Sequence, residues 1–518
     1  MSDNDDLRDK FKKPLLRPAM NLPAKRTDAP EPPPAAGDEA HPGIGGLARL
    51  LQAVARMLTP KPPPPKEQPQ AAAEPPAFTV LVAALAGDAD GQGAANLVRI
   101  VEARSIFKVK TLGRSFALDT IEDPAAVAAA TTNTRHAVAA ENADLLIWGD
   151  VGREGYRLRL ATAGSIDDDR PGSFGATTRI ELPLEPAEAV CNLFHAAVLA
   201  AADAASETQK GVVRRLLPAA ATQAEALAAK PPIQMTMGQQ RSTQLVFGHV
   251  AAATALAVPP SQAQAWFDKA VNSYRAAQRR VGRTEPGWET GLLHKHIAAV
   301  LTVSAERSKE PGPILAEAVK EWRAATETLV QGTMPQEWVV AQCRLGKALY
   351  RLDLVTGDTE LLREALTVLQ AALQVYSRTE TPQKWADVMH DIAQVLEVYG
   401  DQRKSPEVLR RSIETCESVL QVVTRERTPL SWAAAQNTLG SALFLLDRHS
   451  DGTSHLEDAA AALQAALEIF RASGAKGPAQ VAQRNLAHVR KLTEDRRGRQ
   501  VIHPDWADAK PKPPARRR

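Results

Sequence analysis

Three places in this sequence come near spacings that chemistry uses, and three cysteines stand apart from them. Residues 91–96, Gly-Gln-Gly-Ala-Ala-Asn, follow an apolar run at Phe78–Leu85. They supply two of the three glycines with which a strand-to-helix turn wraps a pyrophosphate. The third glycine is missing, and no acid stands where a ribose would be held. Asp88-Ala-Asp-Gly91 opens like a calcium loop, but its twelfth position is Arg99, not a bidentate glutamate. His294 and His296 are two apart in a helical stretch and so point in different directions. Cys191, Cys343 and Cys416 are widely separated and match no paired-ligand spacing, which argues against zinc or a disulfide framework. There is no nucleophile elbow and no zinc-protease helix. The expectation is a protein without catalysis, metal or cofactor.

The chain has 518 residues, 44% of them hydrophobic, and a formal net charge of +3. That is enough for several packed domains, and the balance asks for no polyanionic partner. The basic, proline-rich end, Pro511–Arg518, has no interleaved aromatic residues, so specific nucleic-acid reading is not expected. The N-terminus lacks an apolar core of the secretory kind, and no apolar run of membrane-spanning length occurs. With unpaired cysteines, this predicts a cytoplasmic protein.

Residues 1–76 are dominated by Pro, Ala and charge and predict a disordered region. One island, 44–58, places Ile44, Leu47, Leu50, Leu51, Val54 and Leu58 on one helical face with Arg49 and Arg56 elsewhere. It is a candidate for weak membrane-surface contact, or for folding back on the main body. From Phe78 the texture changes. Short apolar runs at 78–85, 107–112 and 143–151 alternate with helical stretches, one of them Pro124–Ala140 capped by Asp123. Two further strands and a helix at about 186–205 follow. The order predicts an α/β module over 77–206, with parallel strands first and hairpins last. A helical linker is expected over 207–239.

Three peptides then recur: Pro335-Gln-Glu-Trp338, Pro382-Gln-Lys-Trp385 and Pro429-Leu-Ser-Trp432, with 47 residues between successive tryptophans. Other columns keep the same beat: Leu315, Leu362, Leu409 and Leu456; Trp322, Leu369, Cys416 and Leu463. Within one unit these positions form a helical stripe, and a fixed period of this size means stacked helical hairpins. Helix A of each unit begins at the Pro, and Gly357 and Asp358 end it and cap helix B. Trp338, Trp385 and Trp432 are expected to anchor each unit on the preceding one. Gly346, Gly440, Ala365, Ala372, Ala459 and Ala466 are expected to let helices approach closely. The array predicted spans 240–495, from a divergent hairpin to a closing helix, with a basic disordered tail over 496–518.

Two resemblances follow from these residues. Leu345–Gly346 with Leu349, and Ala365, Leu369 and Ala372, resemble the two helices of a tetratricopeptide repeat lengthened to 47 residues. Pro429–Leu443 is similar to a run found in extended bacterial repeats of that kind. "ADLLIWGDV" leading into "GREGYRLRL" resembles the amino-terminal domain of TolB, with Asp150 where that family carries Ser. The resemblance implies a non-catalytic interaction or sensing module. The repeat family's concave positions, carried over by the Leu-Gly phase, are Cys343, Lys347, Tyr350, His390, Gln394, Glu397, Asn437, Ser441, Phe444, Arg484, His488 and Lys491. Lys347, Arg484 and Asn437 are candidates to hold a peptide carboxylate. The function implied is a protein–protein interaction scaffold that binds a protein or peptide on its concave face. The alternative is a regulator whose α/β domain binds a small molecule or nucleotide while the repeats dock a partner.

Overall fold

A computed structural model describes residues 77–164, 170–450 and 455–501. The amphipathic stretch 44–58 and the tail beyond Val501 lie outside the described residues. A five-stranded sheet comes first, in the order β2-β1-β3-β4-β5. Its strands are β1 (Phe78–Ala84), β2 (Phe107–Ser115), β3 (Leu145–Gly152), β4 (Gly155–Ala161) and β5 (Ile180–Leu182). β1 pairs parallel with β2 and β3, and the later pairs are antiparallel. This is the mixed sheet expected.

Helices α1 (Gln92–Glu102) and α2 (Pro124–Ala140) connect the parallel strands. The two crossovers step in opposite directions across the sheet, so right-handedness puts them on opposite faces. Asp123 caps α2 by accepting from the backbone N–H of Ala125 and Ala126. Helix α3 (Glu188–Ala201) lies beside α1, where His195 Nε2 meets the carbonyl of Ile100.

Helix α4 (Glu207–Ala229) occupies the stretch expected as a linker, and it is no spacer. Val212, Leu217, Ala221, Ala224 and Leu227 are buried in the same core as the sheet. Gln209 closes the capping box on Ser206 and donates to Asp144 Oδ1 at 2.9 Å, so sequence-local capping also fixes α4 against β3.

The array consists of paired helices: α5 (Met237–Ala257) with α6 (Pro260–Gln278), α7 (Gly287–Arg307) with α8 (Pro311–Thr328), and α9 (Pro335–Thr356) with α10 (Thr359–Ala372). Next come α11 (Pro382–Arg403) with α12 (Pro406–Leu420), α13 (Pro429–Ser450) with α14 (Leu456–Ala472), and the closing α15 (Lys476–Val501). Odd-numbered helices of the array are the A helices and touch one another along the inner side. Gly357 takes a left-handed φ of 71° after α9, and Asp358 caps α10. One period later Lys404 occupies that left-handed position with φ 51°. Helix α15 runs past residue 495: Arg496 reaches the Asp447 carbonyl and Arg497 pairs with Glu457 at 2.6 Å. The start expected for the tail is therefore helical.

Close approach falls where small residues were expected. A Cβ on Gly346 would sit 2.6 Å from Leu369 Cγ, and one on Gly440 2.7 Å from Leu463 Cγ. Ala365, Ala372, Ala459 and Ala466 are fully buried. The repeating tryptophans pack at the edges of the apolar clusters. Trp338, Trp385 and Trp432 are only half-buried. Arg378 and Arg425 lie over the rings of Trp385 and Trp432 at 5.4 and 5.7 Å. Within the array the most deeply buried of the described tryptophans is Trp322, 1% exposed, whose Nε1 donates to Thr302 at 3.1 Å. No described helix is long and apolar enough to cross a membrane.

Candidate functional site

The inner side of the array is built from A helices, so it is where the carried-over concave positions fall. Their polar groups mostly bridge one A helix to the next, at sequence separations close to one repeat. Lys347 pairs with Asp391 at 3.0 Å. Gln402 donates to Asp353 at 2.9 Å, and His390 Nε2 lies 3.1 Å from Thr438 Oγ1. Arg448 and His449 both reach Asp401, and Asn485 donates to Ser441 at 3.1 Å. Burial holds the His390 imidazole below its ordinary pKa.

Tyr350, Gln394, Glu397, Asn437, Ser441 and Phe444 are each at most 3% exposed. Buried to this degree, they do not line an open groove. Cys343, Lys347, His390 and His488 are half-buried, and Arg484 and Lys491 are exposed. The seam is not fully satisfied. Both side-chain polar atoms of Asn437, and Oε1 of Gln394, are buried without a hydrogen-bond partner among the described residues.

Along α5, α7 and α9 the inner side is covered by the α/β module. The loop before β5 lies on α5 at Gly172, whose φ is +81° and whose Cβ would stand 2.6 Å from the His249 carbonyl oxygen. Thr177 Oγ1 donates to Glu337 Oε1 at 3.2 Å, Trp288 Nε1 to Glu122 at 3.0 Å, and Gln239 Nε2 to the Glu154 carbonyl at 2.8 Å. Lys295, 3% exposed, holds the other oxygen of Glu337 at 2.5 Å. Beneath this contact the His249 ring lies 4.8 Å from Phe174 and 4.6 Å from His296, and its Nδ1 is 3.1 Å from Tyr274 Oη. Burial, helped by the nearby Lys295 charge, drives the His249 pKa down to about 3. Burial first, then His249 and Lys295, hold His296 well below its usual value. His294, pointing elsewhere as its spacing required, meets Glu321 on α8 at 2.5 Å.

Between module and helices lie two adjoining cavities of about 510 and 160 Å³, with Ile121, Thr177, Thr178 and His296 in the walls of both. The α2 face of the sheet supplies Trp148 and Arg159, cross-strand partners with the guanidinium 5.4 Å over the indole. Sequence reasoning missed this site. "YRLRL" alternates and turns Arg157 and Arg159 to one face, but nothing local says that helices more than a hundred residues later cover Arg159.

A third cavity, about 650 Å³, opens on the outer side between α12 and α14. Its floor is α13, with Leu439, Leu443 and Leu446; its rims carry three carboxylates, Glu414, Glu417 and Asp458, against one arginine, Arg410, and His455. Here a register signal was available. Earlier layers clasp their B helices with Arg275–Glu317 and Arg323–Glu364. Successive 47-residue steps from the second pair give Gln370 and Arg411, then Glu417 and Asp458. The clasp becomes two carboxylates.

At the glycine turn after β1, Asp88 settles the phosphate question. Its carboxylate accepts from the backbone N–H of Gly93 and Ala94 at 2.9 and 2.8 Å, filling the donors a phosphate would need at the start of α1. Asp150 is paired with Arg157 at 2.7 Å. Among the described residues no His, Cys, Asp and Glu cluster is arranged to hold a metal ion.

No family model and no curated protein sequence matches the chain. Among solved structures, a circular tandem repeat protein described as having a novel repeat topology and enhanced subunit contact surfaces is similar at 14% identity. That match covers 60% of this chain and 84% of the other, with a TM-score of 0.25.

Proposed function

We propose that this chain is a non-enzymatic protein-binding scaffold: an extended tetratricopeptide-type array whose first layers carry a TolB-like module and whose last layers dock a partner. The partner segment is amphipathic and basic. The supporting observation is the outer groove between α12 and α14, a leucine floor under Glu414, Glu417 and Asp458. A helix laid there buries its apolar side and sets arginines or lysines against the rims. The inner positions that stay accessible, Arg484, His488 and Lys491, form the competing surface.

The test uses the full chain and a labelled amphipathic peptide with leucines on one face and arginines beside them. Binding should weaken as salt rises and fall on the order of tenfold or more with Glu414→Lys plus Glu417→Lys. Arg484→Glu plus Lys491→Glu should leave it unchanged. The reverse pattern moves the site to the inner face, and no binding to either surface ends the proposal. The ligand-sensing reading draws on a different observation, the cavities under the α/β module.

A further inference from the structure

We infer that the paired cavities between the sheet and helices α5, α7 and α9 bind a small organic anion, its carboxylate or phosphate beside Arg159 and its flat body against Trp148 and Phe174. The smaller chamber is lined by Arg159, Arg179 and Arg241 together with Asp119, Glu181 and Glu289. Arg179 pairs with Glu181 at 2.7 Å, and Arg241 with Glu285 and Glu289, the latter at 2.9 Å. Arg159, 6% exposed, has no carboxylate among the described residues at ion-pair distance. Its Nε donates to the Ala176 carbonyl at 3.0 Å. Asp150 acts on it only from a distance; a buried cation with no carboxylate paired to it is costly, and an anion beside it would lower that cost. Burial, then Arg179, already depresses the Arg159 pKa to about 10, which leaves it charged at neutral pH.

The larger chamber has the features of a seat for the rest of such a molecule. Its volume, about 510 Å³, lies in the range of small-ligand pockets. Trp148, Phe174 and Tyr376 give it apolar walls, and Arg135 and Lys384 stand around it. Its Glu337 is already held by Lys295 and Thr177. A second, independent sign is the Trp148 indole: its Nε1–H is buried and finds no acceptor among the described residues. An acceptor atom on a bound molecule would satisfy it. An anion seated here touches both the module and the A helices, so it fastens one to the other.

The inference does not depend on the outer groove, and its test uses no peptide. The full chain is titrated calorimetrically and melted with adenosine 5′-monophosphate as the phosphate probe and indole-3-acetate as the carboxylate probe. Adenosine and 3-methylindole are the uncharged controls. One anion should bind saturably and raise Tm, while its control does not. Arg159→Met should weaken that binding on the order of 10- to 100-fold, and Arg159→Lys less. Trp148→Phe keeps a ring and removes the donor; it should weaken binding severalfold, and it serves alone if Arg159→Met does not fold. Absence of binding by both anions, or wild-type affinity in the folded variants, overturns the inference.

Discussion

Around α7 a single hydrophobic core joins sheet and helices: it runs from Phe78 in β1 to Val398 in α11. Beyond it the apolar contacts divide, with one cluster around α13, α14 and α15 and a small one at Ala386, Val419, Val423 and Ala435. The same 47-residue hairpin therefore works in two settings. In the first it is the wall of a larger globule, and its inner polar groups meet the α/β module. In the second it is flanked only by other hairpins, and its inner polar groups meet each other. Period and pattern set the hairpin; what lies against its inner side sets how much each layer depends on the rest of the molecule.

The largest effect expected tests the first setting. Lys295→Met leaves the Glu337 carboxylate without its buried partner and should cost about 3–5 kcal/mol in chemical denaturation. Trp322→Ala should cost a similar amount, about 3–5 kcal/mol. Trp385→Ala, in a half-buried site under Arg378, should cost much less, and equal losses for the two tryptophans would erase the contrast between layers. Gly440→Ala drives a methyl into Leu463 and should lower stability by about 1–3 kcal/mol.

A smaller, pH-dependent effect probes the seam under the module. His249 and His296 are neutral in the fold, with pKa values pushed below the unfolded value, so their contribution is present above about pH 6.5 and is lost as pH falls. Each adds a slope of about 1.4 kcal/mol per pH unit below that point. Glu289, whose pKa is raised to about 7 chiefly by burial, works in the opposite sense over pH 7 to 4.5. His249→Gln should therefore flatten the fall in Tm between pH 6.5 and 5 relative to wild type. An identical pH profile would mean that this imidazole is not neutralised by folding. The smallest effect belongs to the second setting. Glu417→Arg restores opposite charge against Asp458 and should raise stability by about 0.2–1 kcal/mol.

Much of this was legible in the sequence because it was local or periodic. The Asp123 and Asp358 caps, the Gly357 stop, the proline starts of α9, α11 and α13, and the glycine–leucine approaches each depend on a few neighbouring residues. What was not legible depends on how the hairpins curl. Spacing says that His390, Asn437 and Arg484 share a phase; it does not say that successive A helices come close enough to bury Asn437. Nor does a tryptophan's regular recurrence say how deep it sits. The deep ring, Trp322, stands in a column that later holds Leu369, Cys416 and Leu463.

That column has a consequence for how such a chain can change over generations. The helix A positions opposite it, in the same register, are Ala299, Gly346, Ala393 and Gly440. In two hairpins the leucine of that column, Leu369 or Leu463, fills the space that Gly346 or Gly440 leaves open. Units that share a blueprint have thus become non-interchangeable: a recombinant that set Ala393 against the leucine normally housed by Gly346 would lack the hollow that side chain fills. Length can be gained or lost only by whole hairpins that bring both halves of their own fit.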